Sequence, residues 1–259
     1  MIKLIASDLD GALLDSRKRL PQGLFPLLEK LTRRGICFVP ASGRQYYNLR
    51  ELFPGLALHF IADNGAMLAY GGQVTEVDVL PDVSEPLALA RQVPGIYPVL
   101  SGAKSAYYMD DDPVFLENAR MYYKKLERVE NLCQAAQQDR ICKIALFAQG
   151  KAESVCLPQM QPCAGRFLLS LSGRDWVDLM NLGVNKGRAL RRLQQQLGVA
   201  PDECMAFGDY LNDLEMMQAA GVSCAMANAH PALKAACRYT VPSNDEDGVV
   251  RTICRAIAL

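Results

Sequence analysis

Apolar positions along this chain follow two rhythms. Short unbroken runs at 2–7, 36–41, 59–62, 204–207 and 222–226 have the length of buried strands, whereas spacings of three and four at 24–34 and 189–197 predict amphipathic helices, with a further helix over 46–53. Glycine and proline punctuate these segments: Gly35 follows the first helix, Pro54 and Gly55 the second, and Gly221 stops a helix ahead of residue 222. Strands alternating with helices predict an α/β fold on a doubly wound parallel sheet, whose ligands lie beyond the carboxyl ends of the strands. The runs 66–70 and 74–79 flank Gly71-Gly72 and predict a β-hairpin, so pairing turns antiparallel there.

The texture changes over about 82–182. A proline-spaced helical segment, a tyrosine-rich amphipathic helix near 114–126 and strands at 141–148 and 167–172 predict an inserted α+β domain. Alternation resumes after Asn185-Lys186-Gly187, so the expected organisation is a core from 1–82 and 183–259 with an insert from 83–182.

Half of the 259 residues are apolar or aromatic, the profile of a chain that folds unaided. Twenty-eight lysines and arginines balance 28 aspartates and glutamates, so no global field exists to hold nucleic acid or an acidic membrane, and any anion must be gripped locally. Nine scattered cysteines without a Cys-x-x-Cys pair read as reduced core thiols. With neither a signal-peptide core nor a bilayer-spanning window, the expectation is a cytoplasmic protein, a monomer or small homo-oligomer.

Chemistry-bearing residues fall at the ends of the predicted strands. Asp8 and Asp10 follow the first run, with Gly11 next, and such a pair of carboxylates supplies an attacking oxygen and a proton shuttle. The same tetrapeptide also serves as an ordinary turn or helix cap. A calcium loop is excluded, because Arg19 stands where its bidentate glutamate belongs. Ser42-Gly43-Arg44 ends the second run and offers a hydroxyl, backbone N–H groups and a guanidinium to a phosphoryl group, although a serine cap before glycine is common. Lys186 opens a helix, where the macrodipole disfavours a cation unless an anion lies near; alone it reads as a solvated lysine. Asp209, Asn212 and Asp213 would share one face of a helix beginning at 209, and oxygen ligands of that kind suit Mg²⁺. Each element is ambiguous alone, and their joint occurrence in one order is what informs.

Together with Asp63-Asn64-Gly65 before the hairpin, these motifs make the chain resemble the haloacid dehalogenase superfamily, and within it the Cof-type sugar phosphatases, which carry a large α/β cap after the third core strand. The resemblance spans essentially the whole length. It implies a Mg²⁺-dependent phosphatase that acts on a small-molecule phosphoester through an aspartyl-phosphate, with a sugar phosphate as first candidate and nucleotide or cofactor phosphates next. By this resemblance Asp8 is the nucleophile, and Asp10 protonates the leaving alcohol and later activates water. Ser42 hydrogen-bonds the phosphoryl oxygens, and Lys186 offsets the charge of Asp8 and the phosphate. Asp8, Asp209 and the backbone carbonyl of Asp10 would hold the metal, with Asn212 and Asp213 in support. Gly43, Arg44, Asn64 and Asn212 are further candidates for phosphate or loop contacts. Phosphoryl transfer needs an in-line nucleophile and positive charge around the equatorial oxygens, which these assignments supply. Two positions depart from the family's pattern: Ala12 stands where threonine is usual, which removes a loop-ordering hydroxyl, and Tyr210 where asparagine is common.

Two rivals stay open on sequence alone: a phosphomutase using the same two aspartates, and a non-catalytic module that binds phosphoesters or receives a regulatory phosphate on Asp8. The remaining conspicuous residues read as structural. Asp110-Asp111-Asp112 before Pro113 is a helix-start cap, Tyr122, Tyr123 and Trp176 are packing residues of the insert, and His59 and His230 lack partners at metal-ligand spacing.

Overall fold

The strand Leu4–Asp8 is buried along its whole length and pairs in parallel on both sides, with Cys37–Ala41 and with Cys204–Gly208. A strand enclosed in this way has no solvent face, which is why the run is continuously apolar rather than alternating. Parallel pairing continues from Cys204–Gly208 to Val222–Met226 and Tyr239–Val241 on one side, and from Cys37–Ala41 to Phe60–Ala62 on the other. Met67–Tyr70 then adds antiparallel to Phe60–Ala62, and Gln73–Val77 follows at the edge. The chain therefore winds outward in both directions from Leu4–Asp8, and such a switch point is where a doubly wound sheet opens a crevice.

This computed structural model describes residues 1–172 and 174–257. They form two compact units, one of residues 1–43, 52–73 and 185–257, the other of residues 44–51, 74–172 and 174–184. The fold is thus α/β with a mainly parallel sheet and a second, inserted sheet. Residues 44–51, grouped with the first strands on sequence, pack instead in the second unit. There Gln45 bridges the backbone of Lys124 and Lys125, the Tyr47 hydroxyl donates to the Ala103 carbonyl, and Asn48 donates to Met121.

Helices of the first unit bury one stripe each. Leu24, Leu27, Leu28 and Leu31 are the buried residues of Leu24–Arg33. The helix Lys186–Leu197 starts three residues before the predicted 189, because the Asn185 side chain accepts from the Arg188 N–H at 2.7 Å and caps it. The helix expected to begin at 209 does not. Tyr210 is extended, a single 3₁₀ turn covers Leu211–Asp213, and the α-helix is Leu214–Ala219.

The second unit holds a six-stranded sheet in the order Phe167–Leu171, Trp176–Asn181, Ile141–Phe147, Tyr97–Gly102, Ala106–Tyr108, Leu126–Arg128, antiparallel except for its last pair. One face packs Leu100, Ile144, Leu146, Val177 and Leu179 into an aliphatic core, and the other packs Val99, Phe115, Phe147 and Trp176. The helix predicted over 114–126 is Pro113–Tyr122, capped by Asp112, whose carboxylate accepts from the Phe115 N–H at 2.9 Å. It stops because Tyr123 turns extended to pack its ring near Trp176, and Leu126–Arg128 leaves as a strand.

Candidate active site

The sheet register brings the predicted site residues of the first unit to one edge. Asp8 pairs with Ala41, so Ser42 is the next residue beyond it; Ser7 pairs with Phe207, so Gly208 and Asp209 leave the sheet at the same level. Ala41 pairs with Ile61, which sets Asp63 and Asn64 beside Ser42. Chain segments far apart in sequence meet here because a parallel sheet aligns all its carboxyl ends.

Lys186 lies at the centre and is wholly buried. Its ammonium donates to Asp8 Oδ1 at 2.5 Å and to Asp213 Oδ1 at 2.6 Å. The other oxygen of Asp213 accepts from the N–H groups of Asp209 and Tyr210 at 3.0 and 3.2 Å, so Asp213 is fully engaged. Asp8 is not: its Oδ2 is buried and receives no hydrogen bond. One carboxylate oxygen from each of Asp8, Asp209 and Asp213 lies within 4.8 Å of the others. Three carboxylates therefore crowd one ammonium.

The electrostatics follow from that imbalance. Burial pushes Asp8 well above the ordinary carboxylate value; the Lys186 charge pulls it down, while Asp213 and Asp209 add to the rise. For Lys186 burial acts to lower the value, but Asp213 and Asp8 outweigh it and hold it above an ordinary lysine. We take Lys186 as charged, since a carboxylate on each side stabilises the ammonium. Asp209 is pushed up to about 6, first by burial and then by Asp213. A divalent cation fits this set: it would complete the open Asp8 oxygen, relieve Asp209, and find only oxygen donors, the chemistry Mg²⁺ prefers.

Gly11 shapes the loop around this group. Its φ is +91°, and a Cβ there would collide with the Asp209 carboxylate, so only glycine lets the Asp8–Asp10 loop close on the opposite strand end. Ala12 is buried behind it. Ser42 donates its N–H to the Ile61 carbonyl at 2.9 Å and accepts from the Asn64 N–H at 3.0 Å, and the Asn212 amide donates to Asn64 Oδ1 at 3.3 Å. Gly43 packs against that Asn64 amide. Arg44 belongs to the second unit, where it donates to Asn48 at 3.1 Å.

Two residues here carried no sequence signal. Lys18 donates to Asp10 Oδ1 at 2.7 Å from a left-handed backbone, φ +61°, in a turn held by Asp15. Asn228 donates to the Gly11 carbonyl at 2.8 Å. Neither contact is written in a local pattern, since both depend on where distant loops end. His59 and His230 stay outside the group; His230 caps the helix Pro231–Ala236 and packs its ring edge-on to Tyr210.

Residues 5–253 match the haloacid dehalogenase-like hydrolase family. The chain belongs to this family. Among the haloacid dehalogenase-like hydrolases it is 34% identical over 267 residues to the 5-amino-6-(5-phospho-D-ribitylamino)uracil phosphatase YbjI of Escherichia coli, covering 99% of this chain and 96% of that one. It is 30% identical to the HMP-PP phosphatase of Cronobacter sakazakii, covering 91% and 88%. SMU.1108c from Streptococcus mutans, a solved structure, superposes over the full length of both chains with a TM-score of 0.86 at 31% identity. The chain is accordingly a haloacid dehalogenase-type phosphatase of the Cof-like group, acting on small phosphomonoesters. Haloacid dehalogenase phosphatases use a divalent metal, and the Asp8, Asp209, Asp213 group is an acidic set able to hold one. Among the described residues, no helix is long and apolar enough to cross a membrane.

Proposed function

We propose that this protein is a Mg²⁺-dependent phosphomonoesterase that forms an aspartyl-phosphate on Asp8. The observation that carries the reading is the buried Asp8 Oδ2, open beside a lysine that is already committed and an aspartate that is short of positive charge. A buried carboxylate oxygen without a donor is costly unless a ligand completes it.

Mg²⁺ held by Asp8, Asp209 and the Asp10 carbonyl would supply positive charge to the phosphoryl oxygens and to the attacking carboxylate. The protein's own groups do the rest. Asp8 attacks phosphorus as the bond to the leaving oxygen breaks, and Asp10 passes its proton to that oxygen. Lys186 offsets the charge on Asp8, and Ser42 donates its hydroxyl to a phosphoryl oxygen. Asp10 then takes a proton from water, which attacks the phosphorus, releasing inorganic phosphate and restoring the Asp8 carboxylate. Asn212 and Asp213 brace the metal side, while Gly43 and Asn64 line the phosphate loop. Arg44 is assigned to substrate on the resemblance alone.

The E. coli relative is named for a phosphate ester of a ribityl chain, which makes a phosphorylated polyol or sugar the first candidate substrate. The test is a screen of phosphoesters with and without Mg²⁺, run beside Asp8→Asn. Phosphate release that needs Mg²⁺ and vanishes in the variant supports the reading; equal rates from both proteins remove Asp8 from its role.

A further inference from the structure

The strand Phe60–Ala62 ends in three successive left-handed residues, Asp63 at φ +47°, Asn64 at +54° and Gly65 at +96°. Two of them carry side chains, and L residues enter this region at a cost that persists only where the surroundings hold them. Two-residue hairpins use positive φ at one or both central positions and four-residue loops are mostly built on a type I turn, so three such residues in succession exceed what reversing the strand across 63–66 requires.

What the turn touches explains it. The Asn64 N–H donates to the Ser42 carbonyl at 3.0 Å, its side-chain oxygen accepts from Asn212 at 3.3 Å, and its amide packs on Gly43, where an added Cβ would lie 3.0 Å from Asn64 Oδ1. Gly65 abuts the helix that carries the lysine: a Cβ on it would collide with the Asn185 carbonyl and come within 3.1 Å of the Lys186 backbone nitrogen. Asn185 is the cap of that helix, and Lys186 is its first residue. One turn, buried at Asp63 and half-buried at Asn64 and Gly65, thus bears on the Ser42–Gly43 loop, on Asn212 and on the backbone that aims the Lys186 ammonium at Asp8.

We propose that Asp63-Asn64-Gly65 is a positioning device, a brace that fixes Lys186 and the Ser42 loop relative to Asp8, and that Asn64 acts through these neighbours rather than by touching phosphate. The inference rests on the phosphatase reading above. It predicts that displacing the helix start misplaces the lysine in the transition state, and misplacement of about 1 Å in such a site costs roughly 10²-fold in rate.

Gly55 supplies the control. It also has a positive φ, +74°, but nothing lies within 4 Å of a Cβ placed on it. Gly65→Ala and Gly55→Ala therefore share the backbone strain and differ in the collision. With p-nitrophenyl phosphate and Mg²⁺, Gly65→Ala should lose about 10²-fold in kcat with KM within about threefold, whereas Gly55→Ala keeps the wild-type kcat; circular dichroism and thermal melts accompany both. Asn64→Gly, which retains the left-handed turn but deletes the amide, should lower kcat by about tenfold without a matching change in KM, and it decides the matter if Gly65→Ala fails to fold. An active wild type with kcat unchanged in the folded brace variants overturns the brace alone; a wild type that releases no phosphate from any ester overturns the phosphatase reading and the brace with it.

Discussion

Among the described residues two lysines are buried in the company of aspartates, and they differ in a way that separates chemistry from architecture. Lys186, in the first unit, holds two carboxylates at 2.5 and 2.6 Å with Asp209 nearby, and one oxygen of Asp8 is left without a donor. Lys143, in the second unit, stands 3.9 Å from Asp178, whose Oδ2 accepts from the Ser172 hydroxyl, and its ammonium lies 5.7 Å from the centre of the Tyr123 ring. Among the described residues, three acidic side chains close enough to share one ion gather only at the first. The first has an excess of negative charge in low dielectric, which is unstable by itself and fits a set that a divalent cation would complete.

Replacing each lysine by methionine should separate the two sites most strongly. Lys186→Met should lower kcat by about 10³-fold and cost about 3–5 kcal/mol of stability by stranding buried carboxylates, measured by steady-state kinetics and urea unfolding. Lys143→Met should cost about 1–3 kcal/mol and leave kcat toward p-nitrophenyl phosphate within about twofold. A large kinetic loss in the second variant would erase the distinction.

The charge excess can be tested through stability as well. Mg²⁺ at roughly 100-fold above its Kd should stabilise the protein by about 2.7 kcal/mol, seen as a rise in melting temperature. Asp209→Asn should abolish that rise while stabilising the metal-free protein by about 1 kcal/mol, because it removes a carboxylate held at a raised pKa by burial and Asp213. The second unit should show no such response: Asp178→Asn leaves the Mg²⁺-dependent rise intact.

The smallest effect concerns Asp15, which orders the turn that presents Lys18 to Asp10. Hydrogen bonds from the Arg19 backbone and side chain hold its carboxyl below the ordinary value. Because the folded pKa is depressed, its contribution is present above the unfolded value of about 4 and is lost as pH falls through the folded one. The stability difference between wild type and Asp15→Asn should therefore be flat near neutrality and shrink only below about pH 4; a difference that instead grows on acidification contradicts the assignment.

The residues differ in how much of this was legible beforehand. Asp8, Ser42 and Asp209 follow continuously apolar runs, and a buried parallel strand can deliver polar groups only at its ends, so pattern alone located them. Asn185 and Lys186 were visible as a helix opening, although the apolar spacing by itself began only at 189. The destination of Asp213 was not legible: it depends on Tyr210 being extended, which turns the carboxylate back onto two N–H groups and the lysine instead of along a helix face. Short strands of the insert such as Ala106–Tyr108 and Leu126–Arg128 escaped for a related reason, being only three residues each and defined by their neighbours in the sheet.

The open oxygen of Asp8 is where phosphorus should be caught during turnover. Rapid acid quench of the Mg²⁺-loaded enzyme during turnover of a phosphoester, followed by peptide mass spectrometry, reads this directly. The prediction is a phosphoryl adduct on the peptide containing Asp8, absent from Asp8→Asn. Phosphate released at the full rate with no adduct on Asp8 at any quench time, or with the adduct on another residue, would contradict it.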